Sequence, residues 1–405
     1  MMLPTAFVDA LKAALPQAAW TDARDRIDPH LTEWRGRYRG EAEMMVMPGS
    51  TAETATIMAL CHEHRVPLTV QGGNTGLVGA GIPRRGELLL SFERLRQIRR
   101  VDASDGSLLA EAGVPLAEAQ AAAAAVDRLL PLSIAAEGTA TVGGIAATNA
   151  GGVHVLRYGM ARNLVLGLEA VMADGRVWNG LSTVRKDNTG YDLRQLLVGS
   201  EGTLGLITAV SLKLVPATPQ RAVALCAVDA PSDALSLLDI ARRHLGDRLN
   251  AVELMPRFGL DLVAKHLDRP RPMGADHAWF VLLEGAAAAG EEGLAAAMEA
   301  CLAQALDERT VRDGVLAQTE SQAADLWFFR ESLSEAQKKE GGSIKHDIAL
   351  PVGSVPAFID QGTALAERLV PGCRPCPFGH LGDGNLHFNI SQPVHMDSQA
   401  FLAHW

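Results

Sequence analysis

The sequence predicts an α+β protein with more than one domain, and three observations carry that reading. Strand-like and helix-like runs alternate along most of the 405 residues, a length sufficient for two cores at roughly 100–200 residues per domain. Three tracts rich in glycine and small residues fall in the first half, each beside a strand-like run. Past Pro216 and Pro219 the pattern becomes a regular alternation of strand and helix, as in a lid of ferredoxin-like α+β character with helices on one face. That change sets a domain boundary at 217/218.

Composition excludes several classes. Thirty-seven Lys and Arg against 47 Asp and Glu leave a net charge of −10, with no basic run to attract nucleic acid or an anionic membrane surface. The opening MMLPTAFVDALKAALP carries a lysine inside its apolar part and no cleavage pattern, so it reads as an amphipathic helix. No apolar run approaches the roughly 20 residues needed to span a bilayer. Five scattered cysteines suit a reducing compartment, the cytoplasm, with a peripheral place at the inner membrane as the alternative. Cys373 and Cys376 form a CxxC, but Pro375 and Pro377 stiffen it and no second pair follows, so it reads as a turn.

In chain order, Glu43–Met47 reads as a strand, Ser50-Thr51-Ala52-Glu53 as a capping box opening a helix to about His64, and Pro67–Gln71 as the next strand. GGNTGLVGAG, residues 72–81, follows. Its glycines do not have GxGxxG spacing, and Ile82-Pro83 leads into a strand-like run, Glu87–Phe92, instead of a helix. Phosphates held here would rest on successive backbone N–H groups and not on a helix dipole. Strands at 98–102 and 107–112 and a helix from Pro115 to Val126 precede the second tract, EGTATVGGIAATNAGG. There Gly143-Gly144 and Gly151-Gly152 permit close backbone approach to a flat ligand, while Thr139, Thr141, Thr148 and Asn149 offer hydrogen bonds. Strands at 164–172 and 176–179 lead to the third tract, KDNTGYDLRQLLVGSEGTLGLIT. Three such tracts suit an extended ligand such as a dinucleotide.

In the second half, strands near 221–228, 250–254, 277–284 and 315 alternate with helices to a last helix, Gln322–Lys338. Arg330 and Ser334, four apart on it, share a face. On the following strand, Ser343–Ala349, Lys345 and Asp347 point the same way. Arg330 can grip a carboxylate bidentately and Lys345 can add a point charge. Near the end stands FGHLGDGNLHFN, residues 378–389. A type I′ turn at Asp383-Gly384 would set His380 opposite His387, with Asn389 on the same face, and two imidazoles so placed can bind one divalent metal, Zn2+ first among candidates.

The three tracts, with HDIALP and FGHLGDGNLHFN, resemble the vanillyl-alcohol-oxidase-type (PCMH) flavoproteins. Within these they resemble the FAD-linked D-2-hydroxyacid dehydrogenases, the branch holding D-2-hydroxyglutarate and D-lactate dehydrogenases and the glycolate oxidase flavin subunit. The resemblance implies a PCMH-type FAD-binding domain of two α/β subdomains over residues 1–217, a ferredoxin-like substrate or cap domain over 218–350, and a C-terminal segment, 351–405, with the hairpin. It implies non-covalent FAD, since Asn74 stands where flavinylated relatives often carry histidine. By the same match Gly72, Gly73, Asn74, Thr75 and Gly76 hold the pyrophosphate, with Leu77 and Gly79 beside them. Gly143, Gly144, Thr148, Asn149 and Gly152 line the isoalloxazine and ribityl part, and Glu201 with Gly202 the adenosine side; Gly138, Thr141 and Ile207 complete the cofactor set.

The implied reaction is oxidation of a D-2-hydroxy acid to the 2-keto acid by hydride transfer to flavin N5. His380 and His387 would hold the metal, His387 and Asn389 would act in catalysis, and Arg330, Ser334, Lys345 and Asn389 would bind substrate. Two cations favour D-2-hydroxyglutarate over D-lactate. Ser334 stands where relatives acting on D-2-hydroxyglutarate tend to carry threonine. The electron acceptor would be a quinone, an electron-transfer flavoprotein or a cytochrome, and a homodimer is left open. Relatives carry an AEHG-type motif beyond the hairpin that supplies a third metal ligand; here the sequence stops at Trp405, as if truncated, which keeps a catalytically idle FAD-binding subunit as the alternative from another class.

Overall fold

The computed structural model describes residues 2–274 and 276–404. The chain divides into two compact units: one holds the stretch up to Gly152 together with Tyr158–Ala217, the other Val153–Arg157 together with the chain from Thr218 onward.

The first unit carries two main sheets. Strands β1 (Trp20–Thr21), β2 (Met45–Val46), β3 (Leu68–Gln71) and β4 (Leu88–Ser91) form one, ordered β1-β2-β4-β3, with β2 and β3 both parallel to β4. The helix Thr51–His64 is the crossover between β2 and β3. Ser50 Oγ accepts from the Glu53 N–H at 3.1 Å, and the Glu53 carboxylate accepts from the Gly49 N–H at 2.7 Å, so two otherwise orphaned donors are satisfied. Next come β5 (Ile98–Asp102), β6 (Ser107–Glu111), β7 (Arg128–Leu129), β8 (Val165–Met172), β9 (Val177–Gly180), β10 (Gly205–Lys213) and β11 (Val215–Pro216). Strands β5-β6-β10-β8-β9 make the second, antiparallel sheet, and β7 pairs with β11. Pro115 caps the helix Leu116–Ala124 from outside and is not its first residue. No helix opens from the loop after β3, as the glycine spacing predicts.

The second unit is built on one antiparallel sheet of β12 (Gln220–Val228), β13 (Leu249–Pro256), β14 (Trp279–Ala287), β15 (Asp313–Leu316), β16 (Ser343–Ala349), β17 (Arg374–His380) and β18 (Asn385–Ser391). Their order is β15-β12-β14-β13-β17-β18-β16. Residues 351–405 are therefore no separate segment, since β17 and β18 lie inside the sheet. Helices cover both faces, not one. Pro231–Leu245, Leu294–Asp307 and Val355–Leu369 pack on Ala224, Val252, Leu254, Val281 and Leu283. Arg257–Leu267, Glu320–Glu331 and Leu333–Lys338 pack on Leu225, Ala251, Met255, Phe280, Leu282 and Phe378. The reason is in the central strands: every residue of β13 is buried, and a strand apolar on both sides needs cover on both.

The helix expected over Gln322–Lys338 is two helices, broken at Ser332, whose ψ of −6° ends the first. The CxxC is no simple turn either: Cys376 is a buried residue of β17, and both of its cysteines are unpaired.

Candidate active site

The first two glycine tracts meet around a cavity of about 570 Å³ in the first unit, within the roughly 300–1,000 Å³ usual for ligand pockets. Gly72, Gly73, Asn74, Gly138, Thr139 and Thr141 line it, with His30, Thr32, Trp34, Glu93, Arg96 and Glu118. The glycines serve two different purposes. A Cβ on Gly72 would lie 2.4 Å from Thr141 Oγ1, and one on Gly73 1.8 Å from the Thr139 carbonyl oxygen, so these two let one loop lie against the other. Gly76 and Gly138 have nothing within 4 Å of an added Cβ and leave open space for a ligand. Asn74, Asn149 and Glu201 are left-handed, at φ of 51°, 49° and 51°, a conformation that concentrates at ligand sites.

Other members of the predicted cofactor set do structural work. Gly143 is buried in the helix Val142–Thr148, where a Cβ would lie 2.4 Å from Ala112 Cβ, and Gly152 backs onto the Ser133 carbonyl. These two close up the protein and do not face open space. Thr148 Oγ1 donates to the Gly144 carbonyl, Asn149 Oδ1 accepts from the Arg162 N–H, and Ile207 is a core residue of β10. Gly79 and Gly202 take positive φ, 77° and 78°, as tight turns require. Thr75 is half-buried and Leu77 exposed in the loop itself. The residues around the cavity fit FAD: backbone-rich loops, open glycines, and an apolar wall from Trp34, Pro29 and Pro115.

In the second unit, β17 and β18 bring the two histidines together in a register other than the predicted one. Leu381–Gly384 forms a four-residue turn: the Gly384 N–H donates to the His380 carbonyl at 3.0 Å, and Asp383 Oδ1 accepts from the Asn385 N–H at 2.9 Å. His380 consequently stands opposite Asn385, and His387 opposite Phe378. The pairing is displaced by two residues, which preserves the faces of a strand where a slip of one would reverse them. The imidazoles remain neighbours on one face, with ring centroids 5.6 Å apart.

Register assembles the rest of that face. Asp347 lies opposite His387, Lys345 opposite Asn389, and Glu253 of β13 opposite His380. Glu253, 1% exposed, accepts from His380 Nδ1 at 2.6 Å and from Arg330 Nε at 2.6 Å. Asp347 Oδ1 lies 3.4 Å from His387 Nδ1. Each imidazole thus has a carboxylate at Nδ1. Asn389 Nδ2 donates to Gln337 Oε1 at 2.8 Å.

Arg330 is 7% exposed and buried, its guanidinium 5.1 Å over the Phe378 ring and its Nε bonded to Glu253. Ser334 lies on the next helix and is exposed, so the shared-face expectation fails at the Ser332 break. Zinc finds an incomplete donor set. Carboxylates at both Nδ1 atoms are typical support for metal-binding imidazoles. Yet among the described residues no group of three His, Cys, Asp or Glu could hold a metal ion. Glu253 and Gln337 escaped the sequence reading. The only signal for Glu253 was a single ionisable residue in the otherwise uncharged strand LNAVELMP.

Electrostatics follow from this geometry. Burial pushes the Glu253 carboxyl up, but Arg330 and His380 outweigh it and hold the group at about 2. Glu340, also desolvated, is held at about 2 by Lys265, by Arg374 Nη1 at 2.6 Å and by His266 Nε2 at 2.6 Å. Both folded-state values lie below the ordinary 4.5. Their contribution is therefore complete above the unfolded value and lost as pH falls from 4.5 through about 2. Melting temperature should fall steeply across that window and less steeply in Glu340→Gln; equal slopes in the two proteins would refute the assignment.

Residues 42–180 match the family described as FAD binding domain, and residues 217–404 the family described as FAD linked oxidases, C-terminal domain. The chain is 36% identical to a probable mitochondrial D-2-hydroxyglutarate dehydrogenase of Oryza sativa subsp. indica, over 98% of this chain and 72% of that protein. It is 38% identical to the mitochondrial D-2-hydroxyglutarate dehydrogenase of Bos taurus, over 94% of this chain and 69% of that protein. Among solved structures, p-cresol methylhydroxylase with substrate bound shares the fold, with a TM-score of 0.74 at 16% identity over 98% of this chain and 84% of that one.

Proposed function

The chain belongs to the FAD-linked D-2-hydroxyacid dehydrogenases, and from that premise we propose that it oxidises D-2-hydroxyglutarate to 2-oxoglutarate. The observation that carries the reading is the sheet face on which Lys345, Asp347, His380, His387 and Asn389 stand side by side. Bound FAD supplies the acceptor for the C2 hydride. His387 takes the hydroxyl proton at Nε2, and the Asp347 carboxylate at its Nδ1 stabilises the imidazolium that results. Asn389 Nδ2, which donates one hydrogen to Gln337, has a second to donate to the substrate hydroxyl oxygen. Lys345 and the Nη groups of Arg330 hold carboxylate. His380 and His387 would supply two ligands to a divalent cation.

D-Lactate is the second reading. One observation favours it: the Glu253 carboxylate cancels the charge of Arg330, one of the two cations that a dicarboxylate would use. Anaerobic mixing of the FAD-loaded protein with D-2-hydroxyglutarate, D-malate, D-lactate or glycolate separates these. Bleaching of the main visible flavin band is expected to be fastest with D-2-hydroxyglutarate. If D-lactate is faster, the substrate assignment changes; if none bleaches it, the reading fails. The final electron acceptor is a quinone, an electron-transfer flavoprotein or a cytochrome. Five unpaired cysteines suit a reducing compartment, and among the described residues no helix is long and apolar enough to cross a membrane.

A further inference from the structure

Two carboxylates lie buried on the same face of the seven-stranded sheet, and they are used differently. Glu284 accepts from Trp327 Nε1 at 2.8 Å, Asn250 Nδ2 at 2.6 Å and Arg221 Nε at 3.2 Å, ties that join a strand to its neighbours and to the helix above. Glu253 instead spends one oxygen on the His380 imidazole and the other on Arg330. Stability alone does not account for this ion pair, because replacing a whole buried pair by apolar groups is often neutral or stabilising.

We infer that Glu253 is a positioning residue for the oxidation, fixing the tautomer of His380 and the orientation of Arg330; the inference rests on the hydroxy-acid reading above. Strand register sets Glu253 directly opposite His380, so the carboxylate cannot drift from the ring. An acceptor at Nδ1 requires that nitrogen to carry the proton, which in the neutral ring leaves the lone pair on Nε2. A donor taken from Arg330 Nε leaves its two Nη groups for an anion. One side chain therefore sets both a basic nitrogen and a cation.

Glu253→Gln tests this without removing volume. Glutamine has one acceptor oxygen and one NH2 donor, so it cannot accept from both partners. The arrangement with least conflict turns the NH2 toward Nδ1, which forces His380 into the Nε2–H tautomer. Ring 15N spectra of histidine-labelled protein are expected to show the Nδ1–H tautomer in the wild type and the Nε2–H tautomer in Glu253→Gln. The rate of anaerobic flavin reduction by the best hydroxy acid should fall roughly 10–100-fold at unchanged FAD content, the range for carboxylates that orient a metal-ligating histidine. Glu284→Gln should lower melting temperature and leave tautomer and rate alone. Should Glu253→Gln not fold, Glu253→Asp is read instead: it keeps an acceptor but is a methylene shorter, so the Nδ1–H tautomer with a reduced rate supports the role and a wild-type rate overturns it. A folded Glu253→Gln with wild-type tautomer and rate also overturns it. If no hydroxy acid reduces the wild type but the tautomer still switches, the hydroxy-acid reading fails and the positioning of His380 stands.

Discussion

Gly73→Ala is expected to lose FAD and to destabilise the first unit. An added Cβ would lie 1.8 Å from the Thr139 carbonyl oxygen and 2.6 Å from its carbon, so the obstacle is backbone and cannot rotate away. The two loops must separate, and both line the cavity. Overpacking of this kind costs about 1–3 kcal/mol even where neighbours can adjust. Gly353→Ala, outside the cavity and with nothing within 4 Å of an added Cβ, is the control and should keep its flavin. Flavin-to-protein ratio after purification and melting temperature read both. A Gly73→Ala protein with full flavin and a wild-type melting temperature would falsify the fit of FAD to this cavity.

His387→Ala should slow flavin reduction by the best hydroxy acid roughly 10²–10⁴-fold, the usual contribution of general acid–base catalysis. FAD content should not change, because the cavity that fits FAD is lined by residues of the first unit. His387 is more open than His380, with side chains 28% and 15% exposed, which is why the proton transfer is assigned to it. Added imidazole should restore part of the rate. Stopped-flow reduction within about threefold of wild type would remove His387 from the acid–base role.

Much of this was legible in the chain. The capping box at Ser50–Glu53, the glycine loop that opens no helix, and the shared face of Lys345 and Asp347 each follow from local stereochemistry. The hairpin was legible in place but not in register. Asp383-Gly384 carries the strongest two-residue turn signal, yet the Gly384 N–H bonds the His380 carbonyl and widens the turn to four residues. Glycine tracts show where backbone comes close but not to what: Gly143 and Gly152 meet protein, Gly76 and Gly138 open space.

Sequence alone determined the motif order, the FAD-binding half, the α+β class, and two histidines with Asn389 on one strand face, because each depends on neighbours within a few residues. Tertiary structure alone decided which charges meet. Glu253 and His380 are 127 residues apart and Arg330 and Glu253 are 77 apart, yet both pairs close at 2.6 Å. Nothing in a local pattern encodes which strand lies beside β17. That pairing follows from burying β13 and β14 at the centre of a sheet covered on both faces, and it makes Arg330 half of a buried ion pair.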